Sequence, residues 1–162
     1  MMKIDTSKMI PFISKHYTLR VMVLPCDMQV YNYLEDVLYD GKPGEIVLKG
    51  TVGEDWIIPA KKLSKYCFMD GSDINMADLE HGRWYEIQTR DSAAITWMVQ
   101  IPLDQTGEVT TGRGDVLKVN RPGVPHAEGD WIACSDDGGK PTLEWGAWVV
   151  NGAVVKNTYK PA

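Results

Sequence analysis

The chain has 162 residues, 44% of them hydrophobic and 24% charged, with a net charge of −5. That length accommodates one domain or two small ones and buries most of its apolar surface without staples. The composition excludes wholesale disorder, and an acidic balance with no basic run argues against nucleic-acid binding, which needs a cationic face.

Nine Pro, 15 Gly, six Trp and seven Tyr favour many turns and short strands over a helix bundle. The opening MMKIDTSKMIPFISKHY lacks the apolar core of a signal peptide, and no apolar run approaches the roughly 18 residues of a membrane helix. The expected address is therefore the cytoplasm of the cell in which the chain is made, with no membrane partner. Cys26, Cys67 and Cys134 are odd in number, widely spaced and set among apolar neighbours, and read as reduced core thiols.

In chain order, TLRVMVLP (18–25) is a buried strand ending at a proline. In DMQVYNYLEDVLYDG (27–41) the period changes, and Val30, Tyr31, Leu34, Val37 and Leu38 share one helical face between a candidate N-cap, Asp27, and a stop at Gly41. GEIVLK (44–49) and EDWIIP (54–59) are strands around a GTVG turn, covered by a short helix over 60–68. A second short helix is expected in 71–82, between Ser72 and Gly82. RWYEIQTR (83–90), AITWMVQIP (94–102), DVLKV (115–119), DWIACS (130–135) and WGAWVV (145–150) are strand-like, whereas NRPGVPH (120–126) cannot be regular because each proline removes a donor and fixes φ.

The two halves overlay in order. Pro25 falls on Pro102, 77 residues on; Gly44-Glu45 on Gly129-Asp130 at 85; Trp56-Ile57-Ile58 on Trp148-Val149-Val150 at 92; and Tyr66 on Tyr159 at 93. Loop insertions into a second copy produce such a monotonic drift. After Asn151 two signals conflict. Asn151-Gly152 suits a type I′ hairpin, while the overlay predicts a turn into a short helix ending at Tyr159.

The segments PGEIVLKGTVGEDWIIPAKKLSKY (43–66) and 128–159 resemble a unit found in small phage- and prophage-encoded proteins of unknown function. That unit is Pro-Gly-Asp-Trp/Tyr, an apolar strand, a turn, a second strand with Trp, and a short helix ending in Tyr. The first copy departs from it at Glu45-Ile46 and the second at Glu128. The resemblance covers about a third of the chain and implies a mobile-element origin, not a reaction.

Chemistry-bearing patterns are sparse. His16, His81 and His126 are isolated, no paired Cys or His spacing suits a metal, and no nucleophile elbow accompanies the histidines, so no metal or cofactor is expected. Thr110, Thr111, Gly112, Arg113 and Gly114 form the most pocket-like stretch, with hydroxyls, open backbone amides and a guanidinium suited to a phosphate or carboxylate. Arg121, Pro122, Val124, Pro125 and His126 with Trp131 could form a rigid, partly apolar rim for a protein partner.

The expected fold is α+β, two degenerate repeats of a small antiparallel β-sheet unit with short helices packed as one compact body, most tryptophans being buried between the repeats. Residues 1–15 form an N-terminal segment, 16–69 the first repeat, 70–82 a connector and 83–162 the second repeat. The expected function is that of a non-enzymatic phage or prophage accessory protein binding a host or viral protein. The alternatives are a nucleotide or anion binder, and a hydrolase or transferase with a His/acid site. A homodimer through an exposed strand edge is the default assembly.

Overall fold

The computed structural model describes residues 2–111, 116–124 and 128–162. In chain order the strands are β1 (Met2–Lys3), β2 (Ile10–Ser14), β3 (Thr18–Val23), β4 (Met28–Asn32), β5 (Val37–Gly41), β6 (Ile46–Lys49), β7 (Asp55–Ile58), β8 (Tyr66–Phe68), β9 (Tyr85–Thr89), β10 (Thr96–Gln100), β11 (Gly107–Thr110), β12 (Val116–Val119), β13 (Trp131–Asp137), β14 (Lys140–Val150) and β15 (Tyr159–Pro161). Among the described residues the one α-helix is α1 (Gly152–Thr158), so the fold is richer in sheet than the expected α+β class. The chain divides into a continuous unit, residues 16–91, and a split unit made of the segment up to Lys15 with Ser92–Ala162.

In the continuous unit five strands run in the order β7-β6-β3-β9-β8, every neighbour antiparallel. Alternation along the strands sends side chains to two faces. Val21, Val23, Ile46, Leu48, Ile58 and Ile87 pack with Leu63 and Leu79 on one. Met22, Leu24 and Val47 pack on the other against Val30 and Tyr39 of the β4–β5 hairpin.

That hairpin replaces the helix expected over 27–41. Met28, Val30 and Asn32 also alternate at period two, and Asn32, buried, turns its side-chain oxygen to the amides of Leu34 (3.0 Å) and Glu35 (3.2 Å). Asp36 completes the reversal at φ 53°. Turn chemistry and β-forming residues thus outweigh helical spacing. The helix expected over 60–68 is a 3-10 segment at Ala60–Lys65 followed by strand, and the one expected over 71–82 shrinks to a 3-10 turn at Met76–Asp78.

The split unit has five strands in the order β14-β13-β10-β2-β15, again antiparallel throughout. Phe12, Met98, Ala133 and Val155 of α1 form the core on one face, with Trp131 and Tyr159 beside them. On the other, Ile132, Cys134 and Met9 meet Val109 and Val119 of a second, three-stranded sheet, β1-β11-β12. The tail after Asn151 is helical: Asn151 Oδ1 caps the Ala153 amide at 2.9 Å. Gly152 is needed there because a Cβ would lie 2.6 Å from the Gly129 carbonyl oxygen.

Burial corrects two further expectations. Cys26 is exposed while Cys67 and Cys134 are buried. None of the six tryptophans is fully buried, and Trp84, Trp145 and Trp148 are exposed. Trp56 and Trp148 stand on β7 and β14, the outermost strands, where each side chain has a neighbouring strand on one side only.

Both glycine-acid pairs sit at the same kind of corner, with Gly44 at φ 85° and Gly129 at φ 88°. A Cβ at Gly44 would meet open space, whereas one at Gly129 would lie 2.9 Å from the Ile101 carbonyl oxygen. Urea unfolding should show Gly44→Ala losing roughly 1–2 kcal/mol, the usual left-handed penalty. Gly129→Ala should lose about twice that, since steric overlap adds to strain; equal losses would remove the steric argument.

Candidate functional site

The candidate ligand and interface residues singled out in the sequence belong to the 92–162 segment of the split unit. Thr110 ends β11 opposite Val116, and its carbonyl accepts from the Ile4 amide at 3.1 Å, while Thr111 is buried. Gly112, Arg113 and Gly114 lie outside the described residues, as do Pro125 and His126. Arg121, Pro122 and Val124 follow β12. Trp131 starts β13 and meets Phe12 edge-on, ring centroids 5.3 Å apart and planes at 79°. Its ring therefore belongs to the α1-side core.

The acids of the two glycine-acid pairs hold backbone. Glu45 Oε1 accepts from the Lys42 amide at 2.6 Å, directly after β5. Asp130 Oδ2 accepts from the Asn120 amide at 2.8 Å, directly after β12, and the Asp130 amide in turn donates to Asn120 Oδ1 at 2.7 Å. The Asn120 side-chain amide also donates to the carbonyls of Pro102 (2.8 Å) and Gln105 (2.9 Å). Burial pushes the Asp130 carboxyl up, while the Asn120 amide and the Arg121 charge draw it back. This is a structural knot at the corner.

Of the histidines, His16 pairs with Asp91, both side chains largely in solvent, and His81 is exposed. Burial raises the Cys134 thiol above its usual range, which keeps it protonated and poorly nucleophilic. Among the described residues no group of three or more His, Cys, Asp or Glu side chains could hold a metal ion, and no helix is long and apolar enough to cross a membrane.

A different surface emerges on the continuous unit. Glu86, Arg20, Lys49 and Asp55 lie side by side across four adjacent strands, β9, β3, β6 and β7, on the face opposite Val21 and Leu48. Lys49 reaches Asp55 at 2.8 Å and lies 5.4 Å from the centroid of the exposed Trp84 ring. Arg20 is exposed and in register with Lys49, and like charges directly opposite one another are unfavourable in a sheet. The row can therefore offer a guanidinium and an indole to an incoming carboxylate or phosphate.

Sequence reasoning missed this row because its members are scattered over 67 positions, from Arg20 to Glu86, and meet only through strand pairing. The legible trace is that each is a charged residue beside an apolar one within a strand.

A concavity of about 440 Å³ is lined by Lys61, Ser64, Asp73, Asn75, Met76 and Arg90 among others. Arg90 is already committed there to Asp73 and to the Ser64 carbonyl, 3.1 Å away, which leaves it less to offer a ligand.

No family model, curated protein or solved structure matches the chain.

One buried acid gives a pH signature. Glu54, in the turn between β6 and β7, folds its carboxyl over Gly50, and burial raises its proton affinity more than the Glu54 and Val52 amides lower it. The folded state therefore binds this proton more tightly than the unfolded chain. The contribution falls as pH rises from the ordinary carboxylate range through the raised value, and stays low above it. Glu54→Gln should melt higher than wild type at neutral pH, and the gain should vanish below the ordinary carboxylate range. A variant less stable at neutral pH would contradict this reading.

Proposed function

We propose that the chain is a non-enzymatic accessory protein of a phage or prophage, built from two degenerate copies of one β unit, that binds a host or viral protein in the bacterial cytoplasm. The observation that carries the binding reading is the charged row of Glu86, Arg20, Lys49 and Asp55 beside Trp84, in which Arg20, Glu86 and Trp84 are exposed. At the overlay spacings of 77, 85 and 92 residues, Arg20, Lys49 and Asp55 correspond to Trp97, Cys134 and Ala147. Those three pack on the core under the three-stranded sheet of the split unit. One copy keeps the row apolar and covered, while the other carries charge and leaves it open.

Such a difference is what a partner-binding face needs. An indole supplies contact area, and a guanidinium supplies directional hydrogen bonds, the residue types that dominate binding energy at interfaces. The acids closing both ends of the row favour a partner presenting a single anionic group over a polyanion. The likeness of 43–66 and 128–159 to phage-encoded units supports the mobile-element setting. The same row favours one second reading, a small planar anion such as a nucleotide, stacked on Trp84 with its phosphate on Arg20.

Both readings are tested with Arg20→Glu and Trp84→Ala, surface changes expected to leave the melting temperature within a few degrees of wild type. Tagged wild-type protein should retain a stoichiometric partner from host lysate, and each variant should retain it at least tenfold less. A melting temperature raised by nucleoside monophosphates in wild type but not in Arg20→Glu would favour the second reading. Equal capture by all three proteins, with no nucleotide effect, would remove the row from the function.

A further inference from the structure

The overlay spacings also carry the hydrogen-bonded register of one sheet onto the other. Val21 faces Leu48, which faces Trp56; 77, 85 and 92 residues on, Met98 faces Ala133, which faces Trp148. At the corner, the Leu24 amide donates to the Glu45 carbonyl and the Ile101 amide to the Asp130 carbonyl, both at 2.8 Å. The edge strands β8 and β15 begin at Tyr66 and Tyr159, 93 residues apart.

One slot in each sheet remains, between the central strand and that edge strand. In the continuous unit β9 fills it, with Tyr85 opposite Val21 and Thr89 opposite Tyr66. In the split unit β2 fills it, with Ile10 opposite Met98 and Ser14 opposite Tyr159. A constant spacing of 75 residues relates the two strands: Ile10 to Tyr85, Phe12 to Ile87 and Ser14 to Thr89. Phe12 and Ile87 are each buried in the core of the sheet they complete. The bond from the Lys15 amide to the Thr158 carbonyl (2.8 Å) has its counterpart from the Arg90 amide to the Lys65 carbonyl (3.3 Å), at spacings of 75 and 93.

Chain order decides ownership. β2 directly precedes β3, as β9 directly precedes β10, so each copy begins with the strand that completes the other copy's sheet. We infer that the two copies have exchanged their first strands, and that the slot beside each central strand is a strand-acceptor site whose partner is the opening segment of another copy. The link between β2 and β3 is three residues long, Lys15 to Tyr17, a length that can close a hairpin. β2 instead pairs with β10 and β15. Without its donor each sheet would present two unpaired strand edges and an exposed core, the arrangement that strand addition satisfies.

This inference rests on the two-copy reading proposed above. Its test is a full chain carrying a protease site between His81 and Gly82, both exposed. Cleavage leaves residues 1–81 and 82–162, each holding the donor strand for the other's sheet. The cut protein should elute from a sizing column as one species of full mass and separate only in denaturant. If the insertion itself prevents folding, co-expression of the two segments with different tags replaces it, and each tag should retain both segments. Segments that part and are each folded would overturn the exchange while keeping two equivalent copies. Segments that part with only one folded would overturn both.

Discussion

In each sheet the strand that enters beside the centre is fixed by a carboxylate one residue after a left-handed glycine. The glycine lets the backbone reverse, and the acid accepts the first amide after the preceding hairpin, Lys42 in one unit and Asn120 in the other. Those bonds pin where β6 and β13 begin, and a strand's starting point fixes which of its side chains face the core. Shifting β6 by one residue would exchange Ile46 and Leu48 for Val47 across the two faces. The Asn120–Asp130 version is the more committed, because Asn120 also ties down the chain between Pro102 and Gln105.

Much of this framework is legible in the sequence. The apolar runs at 18–25, 44–49 and 130–135 contain strands, and spacings of 77, 85 and 92 residues carry the paired Val21, Leu48 and Trp56 onto the paired Met98, Ala133 and Trp148. The overlay also favours the helix after Asn151 over the hairpin suggested by Asn-Gly, and Asn151 caps that helix. What misleads is the segment 27–41, where helical spacing and period-two alternation coexist; the Asx turn at Asn32, a side-chain effect, selects the hairpin.

The candidate site is less legible because it has no local signature. Arg20, Lys49, Asp55 and Glu86 are ordinary outward-facing strand residues until four strands align. Exposure of Trp148 likewise follows from its place on the edge strand β14, and exposed Trp84 lies just before β9, outside the sheet. On the proposed two-copy reading, the covered face of the split unit and the charged row of the continuous unit are alternative uses of one scaffold, differing in surface chemistry and not in fold.

The pairing of β2 is the arrangement on which the account turns, and nuclear Overhauser contacts between backbone protons report it directly. Cross-strand contacts should connect Ile10 with Met98 and Ser14 with Tyr159, and likewise Tyr85 with Val21 and Thr89 with Tyr66. Contacts that instead place β2 against β3, as a simple hairpin, would contradict it.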